Sequence, residues 1–198
     1  HEHAYAETCA SIGSAMWNWR LLHVEPDVRY ADLIELQFFN SIMCGVSLDG
    51  RQFFYDNPLS SCGHGYYDPW QVEEMQRGRD YEAYRNWIDA PTRQDWFYVD
   101  RPEPKHMYRV ACCPPNLART LAELPAYFYS TSEDGIWLHL YNNSTLNWTL
   151  NDDVPISITQ HTNYPWDGRI DIDIHPQQTI EFSLFIRIPS WCRSATVT

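Results

Sequence analysis

The sequence predicts two kinds of structure in succession, helices in its first two thirds and an antiparallel sheet, part of a sandwich, in its last third. Three observations carry this. Apolar residues recur every three or four positions up to about residue 45. Beyond about Ser130 they recur at every second position. Turns rich in Pro and Asn separate those later, alternating runs. The fold class is therefore mixed α and β in separate domains, divided at residues 1–130 and 131–198.

The first helix is expected from about Thr8 to His23, where Ile12, Met16, Trp19 and Leu22 fall at helical spacing and Glu25-Pro26-Asp27 ends the run. Asp27 is a suitable N-cap for a second helix, with Tyr30, Ile34, Phe38 and Ile42 recurring every four residues up to about Gly45. Ser47-Leu48-Asp49-Gly50 reads as a turn, followed by the extended run Gln52-Phe53-Phe54-Tyr55. From Ser60 to about Arg109 the chain is irregular and rich in aromatic and charged residues. Trp70, Trp87 and Trp96 there favour an ordered lid or cleft wall. A third helix is expected after Pro114-Pro115, capped by Asn116 and carrying Leu117, Leu121 and Leu124. In the last third Ile136, Leu138 and Leu140 alternate with Trp137, His139 and Tyr141. Ile170, Ile172 and Ile174 form a second alternating run, and Ile180 to Ile188 form a third, expected as one long strand.

Composition narrows the function. The formal net charge is −12, and Lys105 is the only lysine. Such a surface lacks the cations that neutralise phosphates, so nucleic acid is not expected as a partner. No apolar run reaches membrane-spanning length, and no leader segment is visible. Aromatic residues make up 15% of the chain, enough to fill a bulky core and still line a cleft that stacks on sugar rings. The chain has no initiator Met and opens with His1-Glu2-His3 directly before a motif-like segment, so it reads as a fragment of 198 residues. Free thiols lean towards the cytoplasm, and the compartment and a homodimeric state are left open.

Six cysteines are too few and too unevenly spaced for a disulfide scaffold. Cys44, Cys62 and Cys192 read as buried or incidental thiols. The adjacent pair Cys112 and Cys113 is different, because Glu7 and Cys9 in Tyr5-Ala6-Glu7-Thr8-Cys9 supply a further carboxylate and thiol. Three thiols and one carboxylate suit a zinc ion. A thiolate is also a nucleophile, so the same set can hold metal, do chemistry, or both. The residue before a proline avoids the helical region, so Cys113 is expected to be extended and a shared metal would need a bent backbone. A nearby helix start, together with zinc, would lower the thiol pKa values. Spacing alone leaves a structural and a catalytic site equally open.

The chain resembles a known family in six ordered blocks: Ala4-Tyr5-Ala6-Glu7-Thr8-Cys9-Ala10, Gly45-Val46-Ser47-Leu48-Asp49-Gly50, Phe53-Phe54-Tyr55 with Asn57-Pro58-Leu59, Ala111-Cys112-Cys113-Pro114-Pro115-Asn116-Leu117-Ala118-Arg119, Asn163-Tyr164-Pro165-Trp166-Asp167-Gly168, and Arg187-Ile188-Pro189-Ser190-Trp191-Cys192. These resemble the zinc-dependent β-L-arabinofuranosidases of glycoside hydrolase family 127. The resemblance implies the C-terminal part of an (α/α)6 barrel carrying the active site, followed by an antiparallel, jelly-roll-like β-sandwich. It implies zinc held by Glu7, Cys9, Cys112 and Cys113, with Cys112 as the nucleophile of a retaining glycosidase. Tyr55 is expected near the bound sugar, and the substrate is an oligosaccharide or glycoside. The family's acid/base glutamate lies upstream of the Glu-x-Cys block, and Glu2 is too close to Glu7 to be it. The fragment alone is thus expected to be inactive. The run around Arg101-Pro102-Glu103-Pro104, longer than in familiar members, bears on the shape of the cleft.

Several other residues carry weaker signals. His1 and His3 could contact sugar, His64 beside Cys62 reads as a loop residue, and His106 lies near the nucleophile without a defined role. Asp167 reads as a turn residue, and Asn142, Asn143 and Asn147 open glycosylation sequons. The alternatives are a non-catalytic carbohydrate-binding or structural zinc protein, the same fold acting on a different furanoside, and thiol redox chemistry, which would need a resolving cysteine at a suitable distance and is disfavoured by a vicinal pair in a metal cluster.

Overall fold

The computed structural model describes residues 6–46, 112–150 and 153–198. The chain divides into two compact units, one from residues 1–18 and 33–120, the other from 19–32 and 121–198. Among the described residues there are three α-helices and two small sheets.

Helix α1 runs Thr8–Val24 and buries Thr8, Ile12, Ala15, Asn18 and Leu22, a stripe at three- and four-residue intervals. It stops where expected, with Glu25 N–H bonded to Leu21 O just before Pro26. Helix α2 runs Val28–Gln37, and Asp27 caps it: Oδ1 accepts from Arg29 N–H at 2.9 Å. The buried positions Ala31, Ile34 and Glu35 continue to Phe38 and Ile42, through a π-helical turn (Phe38–Ile42) and a 3-10 turn (Met43–Gly45).

Helix α3 runs Cys113–Glu123. It starts three residues before the expected cap. Asn116 N–H bonds to Cys112 O at 3.2 Å, so the two prolines occupy the first turn, where their missing N–H groups have no intrahelical partner anyway. Asn116 is thus inside the helix. The buried side of α3 is Cys113, Leu117 and Thr120, while Leu121 is exposed. A 3-10 turn, Leu124–Tyr127, follows.

The sheets belong to the second unit. The strands are β1 (Tyr129–Ser132), β2 (Gly135–Leu138), β3 (Ser144–Thr149), β4 (Pro155–Thr162), β5 (Ile170–Pro176) and β6 (Ser183–Ile186), in the orders β1-β2-β6 and β3-β4-β5. Strand β4 alternates, burying Ile156, Ile158 and Gln160. Ile136 of β2 joins Ile156 and Ile158 in one core cluster, flanked by Tyr129, Leu146, Ile172 and Leu184. The two sheets therefore share apolar packing.

Two expectations change here. The third alternating run is strand only over Ser183–Ile186, and β6 pairs with β2 in parallel; the other three pairings are antiparallel. Parallel neighbours need a long connection, and here all of β3, β4 and β5 provides it. Gly135 sits at φ 148°, where a Cβ would run into the Ser183 carbonyl of the paired strand. Trp137 and Phe185, opposite each other in that pairing, stack at 3.9 Å between centroids.

A polar knot also lies in this unit. Arg187, with its side chain 3% exposed, pairs with Asp32 at 2.5 Å and donates through Nε to the His139 carbonyl. The second oxygen of Asp32 accepts from Ser190 N–H at 3.2 Å. The Tyr141 hydroxyl donates to Arg187 O, and its ring lies under the guanidinium at 5.6 Å. The side-chain Oγ of Ser130 meets His139 Nε2 at 2.7 Å.

Candidate metal centre

The structure brings Glu7, Cys9, Cys112 and Cys113 together. One ligand atom from each falls within 4.8 Å of all the others. Glu7 precedes α1 and Cys9 lies in its first turn. Cys112 precedes α3 and Cys113 is its first residue. Because the chain turns into the helix between the two adjacent cysteines, their sulfurs approach to 3.8 Å. Cys113 is therefore not the extended pre-proline residue that the local rule suggests. Cys9 Sγ lies 3.5 Å from Cys113 Sγ, and Cys112 Sγ lies 3.5 Å from Glu7 Oε1. Cys113 Sγ is 4.0 Å from the same oxygen.

Those spacings fit a cation. Around a tetrahedral zinc with bonds of about 2.3 Å to sulfur, neighbouring sulfurs stand about 3.8 Å apart. The set is also the right chemistry, three soft thiols and one carboxylate, at the starts of two helices whose partial positive charge favours anionic ligands. The helix field does not decide the protonation state alone. Burial pushes the Cys112 thiol up from its ordinary pKa, and the neighbouring Cys9 adds to this. Cys113 is only 1% exposed, and burial, with Cys9 again second, drives its pKa far up. A cation bound here would invert that balance and favour the thiolates.

Around the centre, Asn116 Oδ1 accepts from Arg119 Nη2 at 2.5 Å, and the same nitrogen lies 3.3 Å from Met16 Sδ. Thr120 Oγ1 donates to Asn116 O at 2.8 Å. Gln37 Nε2 donates to Ser14 Oγ at 2.5 Å, and Asn18 Nδ2 donates to Ser14 O at 2.8 Å. Sequence reasoning passed over these polar contacts, because isolated Ser, Asn and Gln residues carry no signal until the helices fix their faces. It also passed over Thr8, although its place inside Glu7-Thr8-Cys9 was a cue.

Tyr55, Cys62, His1, His3, His64 and His106 lie outside the described residues, as do Trp70, Trp87 and Trp96. None of the described cysteines is in a disulfide. Cys44 and Cys192 are not part of the cluster, and Cys192 Sγ bonds to Ser194 O at 3.2 Å. Asp167 is a turn residue, its Oδ1 accepting from Arg169 N–H at 3.1 Å. Asn142, Asn143 and Asn147 are exposed.

Fold and cluster define a protein whose helical unit carries a thiol–carboxylate site able to hold a metal ion, with a two-sheet unit alongside it in the sequence. Residues 1–126 match the family profile described as the catalytic domain of glycoside hydrolase family 127 β-L-arabinofuranosidases, and residues 135–198 match the profile of the middle domain. The chain belongs to glycoside hydrolase family 127. It is 29% identical over 198 residues to a non-reducing end β-L-arabinofuranosidase of Bifidobacterium longum subsp. longum, covering 96% of this chain and 25% of that protein. Among solved structures it resembles a family 127 β-L-arabinofuranosidase from Geobacillus stearothermophilus T6 (36% identity, TM-score 0.73, 98% of this chain and 26% of that one). A second, a family 127 β-arabinofuranosidase, gives 33% identity and a TM-score of 0.68 over 95% of this chain and 24% of that one. The chain thus spans about a quarter of the length of these relatives.

Proposed function

We propose that this chain carries the nucleophile and the zinc site of a retaining glycoside hydrolase that cleaves β-L-arabinofuranosides. The observation that carries the reading is the difference in access between two adjacent thiols in one ligand set: Cys113 is sealed at 1% exposure, while Cys112 is half-buried. A sealed thiol suits holding metal, and a reachable one suits attack on a sugar. Zinc bound by Glu7, Cys9, Cys112 and Cys113 would keep the thiols deprotonated.

Cys112 Sγ then attacks the anomeric carbon. A C–S bond forms as the glycosidic C–O bond breaks, and its electron pair leaves with the departing oxygen, which takes a proton from a general acid. Water next attacks the same carbon, giving up a proton to the conjugate base of that general acid, and the C–S electron pair returns to sulfur. Two inversions give net retention. Tyr55 is assigned to the sugar-binding wall. In this reading residues 1–130 contribute to an (α/α)6 barrel, and residues 131–198 to a jelly-roll-like β-sandwich. Names of relatives support the β-L-arabinofuranoside as substrate.

Replacing Cys112 by Ser in the full-length gene product tests this. Turnover of an aryl β-L-arabinofuranoside is expected to fall by about 10³-fold or more, with one zinc per chain largely retained. Near-normal turnover in that variant overturns the nucleophile assignment. Zinc binding by a wild-type protein inactive on a panel of aryl furanosides would favour a structural zinc protein instead.

A further inference from the structure

Thr8 sits between two members of the metal set, Glu7 and Cys9, and is 1% exposed. Its side chain rests against Gly45, at the end of the 3-10 turn that follows α2. A Cβ added at position 45 would stand 2.9 Å from Thr8 Oγ1, 3.3 Å from Cγ2 and 3.7 Å from its Cβ. The first distance is shorter than real Cβ contacts, and the second is tighter than nearly all of them. Among the described glycines only Gly135 has positive φ, so position 45 needs glycine for room and not for its backbone angles.

The side chain that would be pushed is a poor one to move. Threonine is β-branched and stiff at χ1, and Thr8 is the first residue of α1, fixed in the helix start. Displacing it would carry the backbone of Glu7 and Cys9, which flank it, while Cys112 and Cys113 belong to a different element. The four-atom cluster tolerates little such drift, because four of its six edges, at 3.5 to 4.0 Å, already stand near those around a tetrahedral ion and all lie within 4.8 Å. We infer that Gly45 is a positioning residue for the metal centre: its missing side chain forms the seat for Thr8, and the seat sets where Glu7 and Cys9 stand relative to the two thiols of α3. This inference rests on the metal-site reading above.

The test uses the full-length protein loaded with cobalt(II) as a spectroscopic substitute for zinc. Gly45→Ala is expected to weaken zinc binding by about 10- to 100-fold in a chelator competition and to shift or weaken the thiolate-to-cobalt charge-transfer band. The double variant Gly45→Ala with Thr8→Ala should restore both, since it leaves only the ordinary 3.7 Å contact. Wild-type affinity and band in Gly45→Ala overturn the inference, as does a loss that Thr8→Ala fails to restore. Should Gly45→Ala not fold, Thr8→Ile overfills the same seat from the other side and should show the same loss; unchanged binding there overturns it equally. A wild-type protein with no cobalt band would overturn the metal reading itself, which separates that failure from this one.

Discussion

His139 shows how much one buried side chain can tie stability to pH. It is 6% exposed, and burial first, then the charges of His23 and Arg187, lower its pKa from 6.5 to about 4. The unfolded chain therefore binds a proton between pH 6.5 and 4 that the folded chain refuses. The sign follows: this stability is present above pH 6.5 and is lost as pH falls towards 4, up to about 3 kcal/mol. Urea unfolding at pH 7 and 4.5 should show a shallower acid loss for His139→Gln than for the wild type. Parallel losses would mean that another group carries the effect. In sequence His139 was merely the outward partner in an alternating run. Its burial comes from the ring of Trp19, 5.5 Å away, and from the Arg187 knot, neither of which local pattern can foresee.

Among the elements, the chain announced α1 and α2 well, because Pro26 and Asp27 act locally: one cannot continue a helix, and the other caps the next. The start of α3 was misplaced for an equally local reason. The rule that residues before proline avoid the helix weakens in a first turn, where Pro114 and Pro115 give up no hydrogen bond. Strand periodicity told which side chains share a face but not which strands pair, so the parallel β2–β6 contact was invisible. An element-scale prediction follows from the Asp32–Arg187 pair, which ties the N-terminal part of α2 to the stretch after β6. Asp32→Ala should cost about 3–5 kcal/mol, because Arg187 stays buried without its carboxylate. Denaturant unfolding checks it, and a loss below about 1 kcal/mol would show that the remaining hydrogen bonds of Arg187 suffice.

For the molecule as a whole, the residue types suggested one site, and the family resemblance implied that Glu7, Cys9, Cys112 and Cys113 meet, which composition and spacing alone do not establish. Cys9 and Cys113 are 104 positions apart, and nothing in composition says that two helix starts should converge. If the cluster binds zinc only in the folded state, metal and fold are linked. At a free zinc concentration 100 times the dissociation constant, the ion contributes about 2.7 kcal/mol. Unfolding the full-length protein with and without chelator should reveal that difference, and Glu7→Gln should shrink it. Equal stability with and without metal would argue against the site.

The parallel pairing of β2 with β6 also sets an order of events at the ribosome. Strand β2 emerges first, and its outer edge, Gly135 to Leu138 with the Trp137 indole, must wait for all of β3, β4 and β5 before Ser183–Ile186 arrives to close it. At ordinary synthesis speeds that wait is on the order of a few seconds. During it an apolar strand edge stands open to any neighbouring nascent chain. The stretch is thus where a translation pause, or a chaperone that shields strand edges, would have the most effect on yield.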